Sequence, residues 1–258
     1  MYSFTRRAAV AALALMASFG VAAARDWKSI RIGTEGAYPP FNNLNAAGEL
    51  EGFEIDYAKL LCEKMKVTCT FVAQDWDGII PALLASKYDV IIAGMNATDE
   101  RRKKVSFSHV YTIVPPAFIA AKSVASADVS PAALNGKVIG AQASTIHANF
   151  LEKYYKTSVL KGYPTQEEAN LDLANGRLDY IVADKLALLD FLKAQGKDCC
   201  KWVADVKRDT AIHGEGVAMA MRKEDEDLLA MWNKAIDESL TDGSFKKISA
   251  KYFDFDIM

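Results

Sequence analysis

Residues 88–101 read Tyr88-Asp-Val-Ile-Ile-Ala-Gly-Met-Asn-Ala-Thr-Asp-Glu-Arg101, and this stretch decides the fold class. Its apolar run is unbroken, ends in small residues and leads into a helix start. Buried parallel strands have this pattern, and they deliver the loop that follows them to a cleft. A guanidinium at Arg101 can grip a carboxylate there with two parallel hydrogen bonds. The stretch therefore predicts an α/β fold with an anion-binding arginine in its cleft.

Two other parts of the chain indicate that the ligand is an amino acid. Glu35 and Tyr38 follow an earlier strand, and Asp184 ends a later one. Opposite charges delivered to one cleft can hold the carboxylate and the ammonium of a single molecule. We therefore predict a site for a free amino acid or a close derivative.

Each of these residues also has an ordinary structural explanation. Arg101 lies in a charged run at residues 99–104, and such a run is usually a solvated helix face. Asp184 could be an N-cap where a strand passes into a helix, and Glu35 could be a solvated loop acid. Tyr38 and Trp76 could be core aromatics. The site prediction therefore requires that these side chains meet in one place.

Short apolar strands alternate with amphipathic helices along the chain, which predicts mostly parallel sheets flanked by helices. Strands are expected at residues 29–34, 69–72, 88–95, 114–121, 137–143, 158–162, 178–183 and 216–221. Helices are expected at residues 52–65, 76–86, 144–155, 166–175 and 185–196, with a long helical stretch at 225–252. The strand at 114–121 is entered through two prolines, and we predict that the chain crosses there between two units of similar layout.

The first 24 residues have the pattern of a cleaved targeting segment. Arg6 and Arg7 form its basic start, residues 8–21 are an apolar stretch short for a bilayer span, and Ala22-Ala23-Ala24 matches a cleavage site. A retained membrane anchor is the alternative, and the paired arginines leave the export route open between the general and the twin-arginine pathways. We predict that the mature chain is soluble and exported.

The charge balance gives no indication of a nucleic-acid partner. Removing Arg6 and Arg7 from the 31 basic side chains leaves 29 against 33 acidic ones, a formal charge of −4. The sequence has no basic patch with interleaved aromatic residues. The remaining 234 residues are enough for two lobes with well-filled cores.

Export makes disulfides possible, and the chain has four cysteines. Cys62 ends an apolar helical stripe and Cys69 opens the next strand, so a helix-to-strand turn can bring them together. Closing so short a loop would stabilise the fold by about 2–3 kcal/mol. Cys199 and Cys200 are adjacent, and a vicinal disulfide, a reduced pair and an intermolecular link are all open. The chain has no Cys-x-x-Cys or matching histidine pair that would indicate zinc.

Several stretches along the mature chain carry a family resemblance when they are taken together in order. They are residues 32–41 (IGTEGAYPPF), 48–56 (GELEGFEID), 89–101 (DVIIAGMNATDER), 136–138 (GKV), 143–145 (AST), 176–184 (GRLDYIVAD), 222–225 (RKED), 242–244 (DGS) and 251–253 (KYF). In these the chain resembles the bacterial periplasmic solute-binding proteins for polar amino acids. The matching branch contains the lysine/arginine/ornithine-, histidine- and opine-binding proteins.

The resemblance implies a two-lobed periplasmic-binding-protein fold of type II, an α/β fold in which each lobe is a mostly parallel sheet flanked by helices. Lobe one would be residues 25–114 plus 217–258, and lobe two residues 115–216. The ligand would lie in the hinge cleft, and the closed receptor would deliver it to an ABC permease in the inner membrane. The implied protein is a periplasmic monomer without a cofactor or metal.

The resemblance also implies how the α-carbon end of the ligand is held. Arg101 would bind the α-carboxylate together with backbone N–H groups at Ala143-Ser144-Thr145, where relatives have Gly in place of Ala143. Asp184 would bind the α-ammonium, helped by the side-chain oxygen of Asn96. Ala141 is also among the predicted ligand contacts.

At the side-chain end, the resemblance implies a cationic ligand. Glu35 would meet the distal cation, and Tyr38 and Trp76 would sandwich the stem of the side chain. The pair Ala93-Gly94 stands where the basic-amino-acid binders have serines, and it would open space beside the ligand. Ile146 would remove a polar contact that many relatives make through Gln. The implied ligand is arginine, ornithine or lysine, or an opine-like conjugate of arginine or ornithine.

An enzyme on the same fold is the competing hypothesis, because some exported cyclic-acid dehydratases share the carboxylate-binding arginine. Their substrates lack the α-ammonium that Asp184 would bind. The sequence also lacks a Gly-x-Ser-x-Gly elbow, His-Glu-x-x-His, a P-loop and Gly-x-Gly-x-x-Gly. We therefore predict a receptor and not an enzyme, with a ligand sensor for a signalling partner as a third possibility. The histidines, which are scattered, receive no role: His109, His147 and His213.

Overall fold

The structure is a computed structural model, and it describes residues 26–258. Two five-stranded sheets form the centres of two lobes, with helices packed against them. This is the two-lobed α/β fold that the sequence predicts. The predicted targeting segment at residues 1–24 lies outside the described residues. Within residues 26–258, no helix has both the length and the apolar character needed to cross a membrane.

The regular elements are short, as expected for an alternating α/β chain. The strands in chain order are β1 (Ser29–Thr34), β2 (Ala37–Tyr38), β3 (Asn42–Leu44), β4 (Leu50–Glu51), β5 (Thr68–Ala73), β6 (Val90–Ile91), β7 (Ser106–Phe107), β8 (Pro116–Ala121), β9 (Val138–Gln142), β10 (Val159–Tyr163), β11 (Tyr180–Asp184), β12 (Cys200–Asp205) and β13 (Ala220–Met221). The helices are α1 (Phe53–Met65), α2 (Ile79–Leu84), α3 (Asp99–Arg102), α4 (Ile146–Tyr154), α5 (Gln166–Ala174), α6 (Lys185–Lys193), α7 (Thr210–His213), α8 (Glu226–Thr241) and α9 (Ser244–Ser249).

The two large sheets have the same plan. Sheet one has the order β5-β1-β6-β13-β7, and sheet two has the order β10-β9-β11-β8-β12. β1 is parallel to β5 and β6, and β9 is parallel to β10 and β11. β13 and β8 add the antiparallel part of each sheet. Since loops that follow parallel strands emerge at one edge of a sheet, β1, β6, β9 and β11 can deliver side chains to a common cleft.

The strand predicted at residues 88–95 is regular only at β6. Before β6, Asp89 is buried and accepts hydrogen bonds from the side chains of Arg31 and Arg222. After β6, Gly94 has a φ of 59°, a left-handed conformation that breaks the pleat of a strand and that glycine adopts readily. The apolar run is thus a short buried strand followed by a shaped loop.

The helical stretch predicted at residues 225–252 is two helices, because Gly243 adopts a φ of 76° between α8 and α9. Both helices pack on α1 of lobe one. Aromatic rings fill this contact, with the ring centroids of Tyr57 and Phe245 5.1 Å apart and those of Phe53 and Phe245 5.9 Å apart. The C-terminal segment therefore belongs to the core of lobe one.

The structure pairs all four cysteines. Cys62 is bonded to Cys69, which ties the end of α1 to the start of β5, as the sequence predicts. Cys199 is bonded to Cys200, so of the three alternatives the structure has the vicinal disulfide. β12 begins at Cys200, and the sequence did not predict this strand, because its residues lack a continuous apolar run.

Candidate ligand-binding site

A cavity between the two lobes collects charged and aromatic side chains. The space in it that is not occupied by protein atoms, open solvent included, is about 310 Å³. The residues that line it come from both lobes, and they are Glu35, Tyr38, Trp76, Ala93, Gly94, Asn96, Arg101, Gln142, Thr145, Ile146, His147 and Asp184.

Arg101 lines this cavity and is partly buried. Its Nη1 donates to the carbonyl oxygen of Asn96 at 2.9 Å, and its guanidinium carbon lies 5.1 Å from the centre of the Trp76 ring. Burial lowers the pKa of Arg101 to about 10, and the nearby charge of Asp184 opposes this effect. The side chain therefore stays cationic at neutral pH. The neighbouring Arg102 instead pairs with Glu215 at 2.5 Å, outside the cavity lining.

The amino end of α4 adds a second feature that favours an anion. Thr145 is the N-cap of α4, where its side chain accepts a hydrogen bond from Ala148 N at 3.2 Å and donates to the carbonyl of Gln142 at 2.7 Å. Thr145 and Ile146 both line the cavity. Backbone N–H groups in the first turn of a helix lack partners within the helix and carry the positive end of its dipole. A carboxylate between this turn and Arg101 would be stabilised from both lobes.

Asp184 is buried at the end of β11 and does not cap α6, although it occupies the N-cap position. Its Oδ2 accepts a hydrogen bond from Tyr38 OH at 3.0 Å, and Tyr38 belongs to the opposite lobe. Its Oδ1 accepts no hydrogen bond from the residues that the structure describes, although His147 Nε2 is 3.4 Å away. Oδ1 is therefore an available buried acceptor, which suits an ammonium group.

Glu35 is the second buried carboxylate of the cavity. Its Oε1 accepts a hydrogen bond from Gln142 Nε2 at 2.5 Å across the two lobes. Burial raises the pKa of Glu35 to about 7, the bond from Gln142 opposes this shift, and the charges of Asp75, Glu54 and Asp77 add to it. A cation bound beside Glu35 would relieve this unfavourable burial by stabilising the ionised form.

Trp76 also joins the lobes. Its Nε1 donates to the backbone carbonyl of Ser144 at 3.0 Å. Ser144 has a φ of 57°, an unusual value for a residue other than glycine. The side chain of Ser144 lies outside the cavity lining, so this residue acts here through its carbonyl. Together with the Tyr38–Asp184 and Glu35–Gln142 contacts, this bond closes the lobes around the cavity.

A buried carboxylate beneath the cavity holds its lobe-one loops in place. Glu54 in α1 accepts hydrogen bonds from Asn42 Nδ2 at 2.8 Å, from Gly94 N at 2.7 Å and from Tyr111 OH. Asn42 in turn accepts a hydrogen bond from Gly36 N at 2.7 Å. Burial raises the pKa of Glu54, and these hydrogen bonds oppose the shift. The loops that follow β1 and β6 are thus fixed by one side chain.

Nine of the eleven ligand contacts predicted from the sequence line the cavity: Glu35, Tyr38, Trp76, Ala93, Gly94, Asn96, Arg101, Thr145 and Asp184. The structure does not bring Ala141 or the side chain of Ser144 to it. Side chains alternate between the faces of a strand, and Ala141 packs into the core of lobe two with Ile139. Gln142, one residue further along β9, faces the cavity instead.

Sequence reasoning missed Gln142 and gave no role to His147, and both line the cavity. The alternation along β9 was the available signal for Gln142. His147 follows the N-cap Thr145 by two residues, so the first turn of α4 was the available signal for it. Within residues 26–258, no group of three or more histidine, cysteine or acidic side chains is arranged to hold a metal ion.

Two α/β lobes that meet over a cavity lined by charged side chains have the geometry of a solute-binding receptor of the hinge-closing class. The family model of the bacterial extracellular solute-binding proteins, family 3, matches residues 30–255. The chain belongs to this family, which the resemblance in the sequence had indicated.

Among individual relatives, the L-arginine-binding protein of Pseudomonas aeruginosa is 40% identical over 237 residues, covering 89% of this chain and 90% of its own. The octopine-binding periplasmic protein of Rhizobium meliloti is 38% identical over 285 residues, covering 95% of this chain and 96% of its own. These relatives support the branch of the family that the sequence indicated.

The chain is also similar to solved structures of amino-acid-binding proteins. An ancestral arginine-binding protein bound to arginine superposes with a TM-score of 0.81 at 36% identity, covering 88% of this chain and 98% of that chain. An ancestral amino-acid-binding protein that is a precursor of cyclohexadienyl dehydratase superposes with a TM-score of 0.78 at 29% identity, covering 88% and 96%. The fold is therefore shared with a binding protein that is a precursor of an enzyme as well as with an arginine-binding protein.

Proposed function

We propose that the protein is an exported receptor that binds an amino acid with a cationic side chain, arginine first, and delivers it to an ABC permease. The observation that carries this proposal is the set of three charged side chains in one closed cavity. Arg101 and the amino end of α4 match an α-carboxylate, Asp184 with Asn96 matches an α-ammonium, and Glu35 matches a cationic side-chain end. A zwitterion with one further positive charge complements all three.

The aromatic side chains support a long, partly aliphatic ligand. Tyr38 and Trp76 both line the cavity, and such rings bury alkyl stems and attract desolvated cations by about 1–2 kcal/mol. The arginine- and octopine-binding relatives are consistent with this chemistry.

An opine-like conjugate is the second candidate ligand, and one observation favours it. A Cβ built on Gly94 would lie 3.7 Å from the Tyr38 ring, and the φ of 59° at Gly94 disfavours any larger residue. Ala93 and Gly94 therefore leave room beside Tyr38 that two serines would fill. A ligand with an added substituent could use this space.

The mechanism that we propose is hinge closure. Arg101, Glu35 and Trp76 belong to lobe one, and Thr145 and Asp184 to lobe two, so a ligand that contacts both sets favours the closed form. The mature protein would be a periplasmic monomer that begins near residue 25. We propose no catalytic activity, because Asp184 and Glu35 are explained by charges on a bound ligand.

The test is thermal unfolding of residues 25–258 with arginine, ornithine, lysine, octopine, citrulline and dicarboxylates, followed by calorimetry on each ligand that shifts the transition. A ligand at about 1,000 times its dissociation constant should add about 4 kcal/mol of stability. We expect this from cationic amino acids or octopine and not from dicarboxylates. Shifts confined to acids without an amino group would contradict the receptor proposal and favour a dehydratase-like enzyme.

A further inference from the structure

His147 lies in the wall of the cavity and is only 4% exposed. Its Nε2 approaches Asp184 Oδ1 to 3.4 Å, yet Oδ1 accepts no hydrogen bond from the described residues. Oδ2 of the same carboxylate is already engaged by Tyr38. Two polar atoms that are close together without a hydrogen bond between them can share a third group placed in the cavity.

We propose that the neutral imidazole of His147 is an acceptor for the α-ammonium of the ligand, beside Asp184, and that protonation of His147 expels the ligand. This inference rests on the proposed function, because it requires an ammonium at Asp184. An ammonium group carries several N–H donors, so one nitrogen can donate both to Asp184 Oδ1 and to His147 Nε2. The two acceptors then belong to one site, and His147 makes that site sensitive to pH.

The charged groups around His147 make a bound ammonium and an imidazolium mutually exclusive. Asp184 is the carboxylate in contact with it, and Arg101 adds a cation to the same cavity. Behind it, on α7, the ring of His213 lies with its centroid 6.5 Å from that of His147. Within the described residues His147 Nδ1 has no hydrogen-bond partner. Glu35, the other carboxylate of the cavity lining, is assigned to the side-chain end of the ligand, so a second cation at Asp184 has no anion of its own.

His213 does not itself supply the pH dependence. Burial, with His147 and Arg208 adding to its effect, lowers the pKa of His213 to about 4. Its Nδ1 accepts a hydrogen bond from Asp209 N at 3.0 Å, which fits the neutral ring. His213 thus stays neutral above about pH 5, and its ring adds no charge to the site in the range where histidines usually ionise.

Competition between protons and ligand has a simple signature. Protonation would place a donor and a positive charge at Nε2, where the ammonium needs an acceptor. Binding of the ammonium must then displace a proton from His147. Affinity should therefore fall as the pH is lowered, by up to about tenfold for each pH unit, and ligand binding should release protons to the buffer.

The experiment measures the dissociation constant of arginine from pH 5 to pH 8 by calorimetry in buffers of different ionisation enthalpy. His147→Gln keeps an acceptor near the position of Nε2 and does not titrate, so its affinity should lose the acid dependence. His147→Leu removes the acceptor and should bind about tenfold more weakly at pH 8. His109→Gln, on the surface, is the matched control and should behave as the wild type does.

An acid loss in His147→Gln as large as in the wild type would overturn the inference, and so would wild-type affinity at pH 8 in His147→Leu. A folded wild type that binds none of the candidate ligands at pH 8 would overturn the proposed function, and this inference with it. A second readout uses the wild type alone, so it does not depend on whether a variant folds. The chain has three histidines, and their ring signals can be followed separately. In proton NMR of the wild type, saturating arginine should move the pH dependence of the His147 ring signal towards lower pH and should leave that of the His109 signal as it is without arginine.

Discussion

At the scale of single residues, Glu35 connects the charge of the ligand to pH. Burial raises the pKa of Glu35 to about 7 in the closed structure, whereas a carboxyl that water reaches has a pKa of about 4.3. At pH values between these two pKa values, closure on a ligand with a neutral side chain must therefore add a proton to Glu35. Closing on a cationic side chain does not require it, because the ligand supplies the positive charge.

We predict that the preference for arginine over citrulline widens as pH rises from 5 to 7, by about 40-fold over these two units. The sign follows from the raised pKa: affinity for the neutral ligand is highest when Glu35 is protonated and falls as it ionises. Titration of His147 cancels in the ratio, since both ligands carry an α-ammonium. Calorimetry with both ligands at pH 5, 6, 7 and 8 measures this preference.

The matched variant for this prediction is Glu35→Gln, which keeps an acceptor for Gln142 but cannot ionise. Its preference for arginine should be small and independent of pH. If the wild type showed a constant arginine-to-citrulline ratio across this range, Glu35 would not face the side-chain end of the ligand.

A second residue-scale prediction concerns Arg101. Replacing it with Ala should weaken arginine binding by at least about 100-fold, because a carboxylate would be buried without its counter-charge, which costs several kcal/mol. Arg102→Ala is the control, since Arg102 pairs with Glu215 outside the cavity lining, and it should change affinity by less than about threefold. A loss of less than about tenfold in Arg101→Ala would contradict the assignment.

The charged residues of the site could be predicted from the sequence because the family resemblance placed them in one cleft, whereas each of them alone also has an ordinary structural explanation. Gln142 and His147 could not be separated from ordinary polar residues in this way. Side chains alternate between the two faces of β9, so Gln142 lines the cavity whereas Ala141 packs into the core of lobe two. His147 depends on the exact start of α4, which the sequence placed two residues early, at residue 144.

At the scale of elements, the loop before α4 and the short turn at Trp76–Gly78 meet across the cleft through Trp76 Nε1 and the Ser144 carbonyl. The positive φ of Ser144 turns this loop immediately before the N-cap of α4. The contact forms between protein groups, so it stabilises the closed form whatever the ligand is.

We predict that Trp76→Phe speeds arginine dissociation about 3- to 10-fold and leaves the association rate nearly unchanged. The substitution keeps a ring for Arg101 but removes the N–H donor, and a hydrogen bond of this kind contributes about 0.5–1.5 kcal/mol. Stopped-flow displacement measures both rates. Trp202→Phe, on β12 in lobe two, is the control, and equal dissociation rates in all three proteins would rule out this role for Trp76.

Element boundaries were the least predictable part of the fold, for local reasons. The run at residues 88–95 has the composition of a full strand, but Gly94 and the ion pairs of Asp89 shorten it to β6. Residues 225–252 keep a helical pattern across Gly243, whose left-handed conformation separates α8 from α9. Strand-helix alternation still gave the class of fold, because the period of apolar residues depends on burial rather than on exact ends.

At the scale of the whole molecule, closure brings Arg101, Glu35 and Asp184 into a space with little water. Three cross-lobe hydrogen bonds favour closure: Tyr38–Asp184, Gln142–Glu35 and Trp76–Ser144. Desolvation of charged groups opposes it, and such groups lose several kcal/mol each when they are buried without partners. The ligand shifts this balance by supplying the missing charges, which is how binding energy becomes a change of shape.

This balance predicts that a receptor without the cavity charges closes without a ligand. We expect the ligand-free double variant Arg101→Met/Glu35→Gln to have a smaller radius of gyration by X-ray scattering than the ligand-free wild type. It should approach the value of the wild type with arginine, although the variant itself binds arginine poorly. The control is Arg102→Met/Glu215→Gln, which removes one positive and one negative side chain outside the cavity lining and should stay open. If the cavity variant were as extended as the wild type, desolvation of these charges would not be what holds the empty receptor open.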